Sequence, residues 1–97
     1  MANFFKNGFV LATTAAAALP DVPFGYQAWL KPRSSNTVSL FLGSSSLTAV
    51  GSTVTDITSG FELKAGETFI LQGPGNLNRY YIISASTGQG LTYMVEG

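Results

Sequence analysis

Cysteine and histidine are both absent from this 97-residue sequence. Without thiols and imidazoles the chain has no thiolate nucleophile, no disulfide framework, no zinc cluster and no histidine acid–base pair. These absences remove most enzyme mechanisms. We therefore expect a single domain with no catalytic residue, no metal site and no cofactor.

Charged residues are also scarce, at 10% of the chain, and the five basic and five acidic side chains cancel. A protein that binds nucleic acid or an anionic membrane typically carries a clear positive excess, so we expect neither partner. So few charges are typical of a protein that packs against neighbouring subunits. A Ser- and Thr-rich extracellular β-domain is the alternative that fits the same composition.

Residues 1–20 combine one lysine with an apolar, alanine-rich run that imitates a secretory signal. Two threonines interrupt the run and phenylalanines precede the charge, so we expect no cleaved signal, and the run is shorter than the ~20 residues of a membrane span. We predict an N-terminal arm over residues 1–8 and a first strand over residues 9–14. A helix over residues 12–19 is the alternative, since alanine is the best helix former.

A hairpin is predicted in the middle of the sequence, where Phe61 and Leu63 alternate with charged residues as in a half-buried strand. Residues 64–67 form the predicted turn, because Gly66 can adopt a positive φ angle without steric cost. Residues 68–71 then form the second strand of the hairpin.

Further strands are predicted from alternation and β-propensity. Residues 79–85 are apolar on both faces, which favours a central strand that is covered on both sides. The other predicted strands cover residues 24–32, 38–42 and 91–96, with a weaker one over 47–54. These short strands predict an all-β fold: a single antiparallel β-sandwich, jelly-roll-like, or a small barrel, formed by residues 9–97 behind the arm.

Several short motifs invite functional interpretations that their contexts do not support. A glycine followed by three serines at 43–46 lacks the lysine of a phosphate-binding loop, and no base is present to activate a serine. The glycine pairs at 73/75 and 88/90 lack the third glycine of a dinucleotide-binding motif. Glu62 and Glu67 each have a lysine nearby and are expected on a solvated hairpin face.

Trp29 is the one tryptophan and lies on the more polar face of its predicted strand, opposite to Ala28 and Leu30. Cover by a loop is the simplest expectation. The alternatives are an anchor in a subunit interface or a platform on which a sugar ring stacks.

Several turn-and-strand motifs together resemble those of small structural proteins of tailed bacteriophages, over roughly residues 10–95. The motifs are Ala18-Leu-Pro-Asp-Val-Pro23, Leu30-Lys-Pro32, the segment 38–46, Gly60-Phe-Glu-Leu-Lys-Ala-Gly-Glu67, Asn76-Leu-Asn-Arg-Tyr-Tyr-Ile-Ile83 and Gly88-Gln-Gly90. The sequence departs from that pattern in its longer apolar arm and in the loop around Pro74.

The resemblance implies a non-enzymatic virion protein, above all a capsid decoration or cement protein on the outside of the head. Its implied partner is the major capsid protein, and it would be synthesised in the host cytoplasm. We expect a homo-oligomer, with a trimer as the suggested form. Phe4, Phe5 and Phe9 offer large apolar anchors, so we predict that the arm is the tether.

Other function classes remain open at this point. A carbohydrate- or receptor-binding module would use Trp29, Tyr26, Tyr80 or Tyr81 as stacking platforms. A neck- or tail-associated virion protein fits the same resemblance. A secreted adhesin would require cleavage near Ala18.

Overall fold

The computed structural model describes residues 5–44 and 61–97, and every regular element of length in this part of the chain is a β-strand. The strands are β1 (Phe5–Ala12), β2 (Ala17–Ala18), β3 (Pro23–Phe24), β4 (Gln27–Pro32), β5 (Leu40–Gly43), β6 (Phe61–Leu63), β7 (Phe69–Gln72), β8 (Gly75–Asn76), β9 (Tyr81–Ser84) and β10 (Gln89–Glu96). A 3₁₀ turn, Leu77–Arg79, separates β8 from β9. The predicted all-β class is confirmed.

Two four-stranded antiparallel sheets face each other. Sheet I has the order β1-β10-β4-β7 and sheet II the order β2-β9-β5-β6, while β3 and β8 form a small separate pair. The first strand pairs with the last, the second with the last but one, and so on inward to β5 and β6. This nesting is that of a long antiparallel ribbon wound into two sheets, the jelly-roll form of the sandwich.

The core lies between the sheets and is built from the inward residues of each strand. Ala28 and Leu30 of β4 are fully buried, as the alternation predicted, and so are Leu91 and Val95 of β10. Sheet II contributes Leu40, Leu42, Leu63 and Ile82 to this core.

The strand of residues 79–85 is central, as predicted. β9 lies between β2 and β5, with Ile82 in the main core and Ile83 buried in a small outer cluster with Phe41. It begins at Tyr81 rather than at Arg79, because the Asn76 side chain caps the 3₁₀ turn by accepting a hydrogen bond from the Asn78 N–H.

The predicted hairpin of residues 61–71 is wrong. Its turn forms, with Gly66 at φ +83° and the Glu67 N–H donating to the Lys64 carbonyl. However, β6 pairs with β5 in sheet II and β7 pairs with β4 in sheet I. The turn therefore carries the chain from one sheet to the other, and the Gly66 N–H donates to the Pro32 carbonyl at the end of β4.

The N-terminal strand also differs from the prediction. β1 begins at Phe5 and ends at Ala12, so residues 5–8 of the predicted arm are strand residues that pair with β10. No helix forms over residues 12–19, where Ala17 pairs with Ile82 of β9. Residues 1–4 and the weak strand predicted over 47–54 lie outside the described residues.

Loops at two ends of the sandwich are fixed by amide side chains. Asn76 Oδ1 accepts from the Val22 N–H at 3.1 Å, and its Nδ2 donates to Asp21 at 2.8 Å. The buried Gln89 accepts from the Thr37 and Val38 N–H groups at 2.8 and 3.3 Å. These bonds hold the loops that follow β2 and β4 against residues of the C-terminal half of the chain.

Candidate docking surface

The outer face of sheet I is formed by the side chains that alternate with the core positions of its four strands. The strand register places Asn7, Met94, Trp29 and Ile70 in one row across the sheet. The next row contains Phe9, Thr92 and Lys31. This arrangement gathers on one surface residues from both ends of the sequence.

Large apolar side chains are exposed on this outer face. They are Phe5 at 63%, Leu11 at 58%, Ile70 at 46%, Phe9 at 45% and Met94 at 41% of full exposure. Trp29 is half-buried among them. Exposed apolar residues are ordinary when scattered, but a contiguous group on one sheet face is typical of an interaction surface.

Phe5 and Trp29 are in direct contact, although β10 lies between their strands. Their ring centroids are 6.5 Å apart and the planes are inclined by 28°, a stacked arrangement. Phe5 lies opposite Glu96 and Trp29 opposite Met94, so the two rings meet diagonally over β10. Trp29 is thus covered in part by an aromatic side chain of β1.

Phe9 forms the second aromatic contact of the face. The Arg33 guanidinium lies 4.8 Å from the centroid of the Phe9 ring, within the range of a cation–π interaction. Both side chains cross over Gly90, where a Cβ would come within 2.6 Å of Arg33 Cδ and 2.8 Å of Phe9 Cε1. The absence of a side chain at Gly90 therefore lets this pair lie flat on the sheet.

A shallow depression of about 440 Å³ lies beside Trp29. Its walls include Trp29, Met94 and the polar side chains of Asn7, Lys31 and Thr92. Thr92 Oγ1 donates to the Lys31 carbonyl at 2.9 Å, which fixes the hydroxyl on the floor. The depression offers one aromatic wall with hydrogen-bonding groups beside it.

The glutamates considered in the sequence have structural partners. Glu62 accepts a hydrogen bond from the Ser39 hydroxyl at 2.8 Å, and Glu67 accepts from the Lys64 N–H at 2.8 Å across its own turn. In residues 5–44 and 61–97, no group of three or more acidic side chains is close enough together to hold a metal ion. The chemistry available on the outer face of sheet I is apolar contact with peripheral hydrogen bonding.

Three of the site residues predicted from the sequence lie closer together than expected, and the others lie elsewhere. Phe5 and Phe9, predicted as anchors of the tether, share one face with Trp29, while Phe4 lies outside the described residues. Tyr26 is exposed in the bend before β4. Tyr80 and Tyr81 are half-buried. Tyr80 directly precedes β9 of sheet II, and Tyr81 is the first residue of that strand.

Sequence reasoning missed Leu11 and Ile70 as members of this surface. Met94 lies on the outward side of β10 and is exposed. Alternation within the predicted strand of residues 9–14 places Leu11 on the same face as Phe9, but it does not indicate that this face is exposed.

Comparisons with protein-family models, with curated proteins and with solved structures found no match to this chain. Within the described residues, no helix has the length and apolar character needed to cross a membrane.

Proposed function

We propose that this protein is a non-enzymatic structural protein of a phage virion, most specifically a capsid decoration or cement protein that binds the outer surface of the head. The observation that carries the proposal is the contiguous aromatic and apolar outer face of sheet I. The sequence motifs that resemble small phage structural proteins supply the biological setting.

The size of the face suits a docking role. Its exposed apolar side chains present on the order of 500 Å² of apolar area, near the upper end of patches found on monomers. A specific interface buries about 800 Å² on each partner, and its core is apolar with a polar rim. Asn7, Lys31, Arg33 and Glu96 surround or adjoin the aromatic residues and provide such a rim.

The rigidity of the face also supports the proposal. Phe9 and Trp29 stand on strands with partners on at least one side, and their rings are already held by Arg33 and Phe5. Little conformational entropy is then lost when the surface docks, which favours binding. In this proposal the tether is the outer face of sheet I, with Phe5 and Phe9 as its β1 members, instead of a free arm over residues 1–8.

The function would be stabilisation of the shell. A decoration protein that contacts two neighbouring copies of the major capsid protein holds them together across their seam, and repetition over the head multiplies that gain. Self-association into a homo-oligomer is part of this proposal.

The test is to replace two anchors and count the copies retained on particles. In the variant Phe5→Ser/Phe9→Ser we expect at least a tenfold loss of affinity for purified heads, because buried aromatic anchors carry much of the binding energy of an interface. Quantitative mass spectrometry of washed particles measures the occupancy.

The matched control is Phe61→Ser, since Phe61 is equally exposed but belongs to β6 of the other sheet. We expect this control to keep full occupancy. If both variants bind like the original chain, or if the protein is confined to the neck or tail of the particle, the proposed head-docking role is contradicted.

A carbohydrate-binding module is the second candidate, favoured by the depression in which Trp29 lies beside Asn7, Lys31 and Thr92. Sugar rings stack on aromatic faces while such side chains bind their hydroxyls. Because Trp29 is the one tryptophan, its fluorescence reports directly on this site. A saturable change on titration with host surface glycans, abolished in Thr92→Val, would favour this candidate, and an unchanged spectrum would contradict it.

A further inference from the structure

In the part of the chain that the structure describes, β1 is an open sheet edge. It forms one end of sheet I, and all eight of its residues pair in unbroken register with β10 on one side. Within the described residues no strand pairs with its other side. The strand contains no proline and a single charged residue, Lys6. A long, regular edge of this kind presents unpaired backbone groups to any chain that can pair with them.

The other sheet ends are protected more strongly than β1, whose one protective feature is the charge of Lys6. At the opposite end of sheet I, β7 has four residues and is followed directly by Gly73 and Pro74. In sheet II, β2 has two residues and β6 has three. Short edges and nearby prolines are the usual means by which proteins prevent edge-to-edge association. The contrast singles out β1 as an edge that is suited to pairing.

The geometry of an antiparallel pair decides which partner fits this edge. Residues directly opposite each other in such a pair point to the same side of the sheet. If two copies of β1 pair about a two-fold axis perpendicular to the sheet, odd-numbered residues must therefore lie opposite odd-numbered residues. Phe5, Phe9 and Leu11 of both copies then lie on one continuous surface.

We propose that a second copy of this chain pairs antiparallel with β1, joining two four-stranded sheets into one eight-stranded sheet. In two registers, all but one residue of β1 lie opposite a residue of β1 in the second copy. One is centred on Gly8, with Phe5 opposite Leu11 of the second copy. The other is centred on Phe9, with Asn7 opposite Leu11 of the second copy.

Charge permits both registers. Lys6 lies opposite Val10 of the second copy in the first register and opposite Ala12 in the second, so the two lysines never face each other. In a closed two-fold dimer, both copies use the same surface patch to contact each other, as the two β1 strands would here. The dimer would also double the outer apolar face without covering Trp29 or Ile70, which lie on β4 and β7.

The inference is tested by placing like charges on the pairing edge. In Asn7→Lys/Leu11→Lys both new side chains lie at exposed outer positions of β1, so the fold should be kept. The matched control Ile70→Lys/Gln72→Lys adds the same charge to the opposite edge strand of the same sheet, also at exposed positions. Sedimentation equilibrium of the full chain over a range of concentrations gives the association constant.

We expect the original chain and the control to be dimers, and the β1 variant to dissociate at least tenfold more readily. In the original chain, hydrogen exchange should show that β1 amides become protected as the protein concentration rises. The protected amides should belong to alternate residues, as expected for a paired edge. Circular dichroism and thermal unfolding of both variants verify that the fold is intact.

Three outcomes would overturn the inference. They are an original chain that stays monomeric at about 0.1 mM, a closed trimer that survives the β1 substitutions, or a control that dissociates as readily as the β1 variant. The measurement uses no virus particle, so the dimer can fail while the proposed head-docking function stands, and the reverse also holds.

Discussion

Glycine and amide residues set the positions of larger side chains in this protein. Gly90 leaves room for Phe9 and Arg33 to cross the sheet, and a Cβ at Gly8 would overlap the Tyr93 ring on the other side. Neither role is visible in the sequence, where both glycines look like ordinary loop or strand-breaking residues. The positions of Phe9, Arg33 and Tyr93 therefore depend on residues that have no side chain of their own.

Gln89 gives a direct test at the residue scale. Its buried side chain accepts hydrogen bonds from the Thr37 and Val38 N–H groups, so Gln89→Ala leaves two loop donors without their acceptor. We expect a loss of about 1–3 kcal/mol in the free energy of unfolding. Urea denaturation measures the change.

The control for that measurement is Gln72→Ala, at an exposed position of β7. An exposed substitution should change the free energy of unfolding by no more than about 0.5 kcal/mol. Equal stability of the two variants would show that the Gln89 bonds do not hold the loop of residues 33–38 in place.

At the scale of elements, the sequence predicts strands better than it predicts their partners. Alternation placed Ala28 and Leu30 on one face of β4, and both are buried, because the pattern and the buried face have the same period of two. The turn around Gly66 was likewise predicted from local chemistry, and its positive φ angle confirms it. Local chemistry does not specify which sheet the chain enters after the turn, and the predicted hairpin was wrong for that reason.

The N-terminal strand shows why boundaries were harder to predict. Lys6, Asn7 and Gly8 lack the alternating apolar pattern of a strand, so residues 5–8 were assigned to an arm. They adopt extended structure because β10 provides a template for pairing along their whole length. Partners more than eighty residues apart in the chain, such as Phe5 and Glu96, leave no local signal in a single sequence.

The aromatic members of the candidate surface were predictable, but its assembly was not. Large aromatic side chains at Phe5, Phe9 and Trp29 indicated anchors of some kind. Their convergence depends on the jelly-roll order, which inserts β10 between β1 and β4. That strand order arises only when the complete ribbon winds into two sheets, so patterns over short stretches of sequence do not predict it.

At the scale of the whole molecule, equal numbers of acidic and basic residues leave no net charge to attract a charged partner over a distance. Attachment to a capsid through the outer face of sheet I would then depend on apolar burial, which salt does not screen. We predict that raising the ionic strength from about 0.1 M to about 0.5 M changes the affinity for heads less than threefold, because screening weakens charge pairs and leaves apolar contacts intact. Binding isotherms on purified heads at the two salt concentrations measure this, with a negative heat-capacity change on binding as the accompanying sign of apolar burial. A tenfold loss of affinity at the higher salt would instead assign the attachment to Lys31, Arg33 and the other charged groups at the rim.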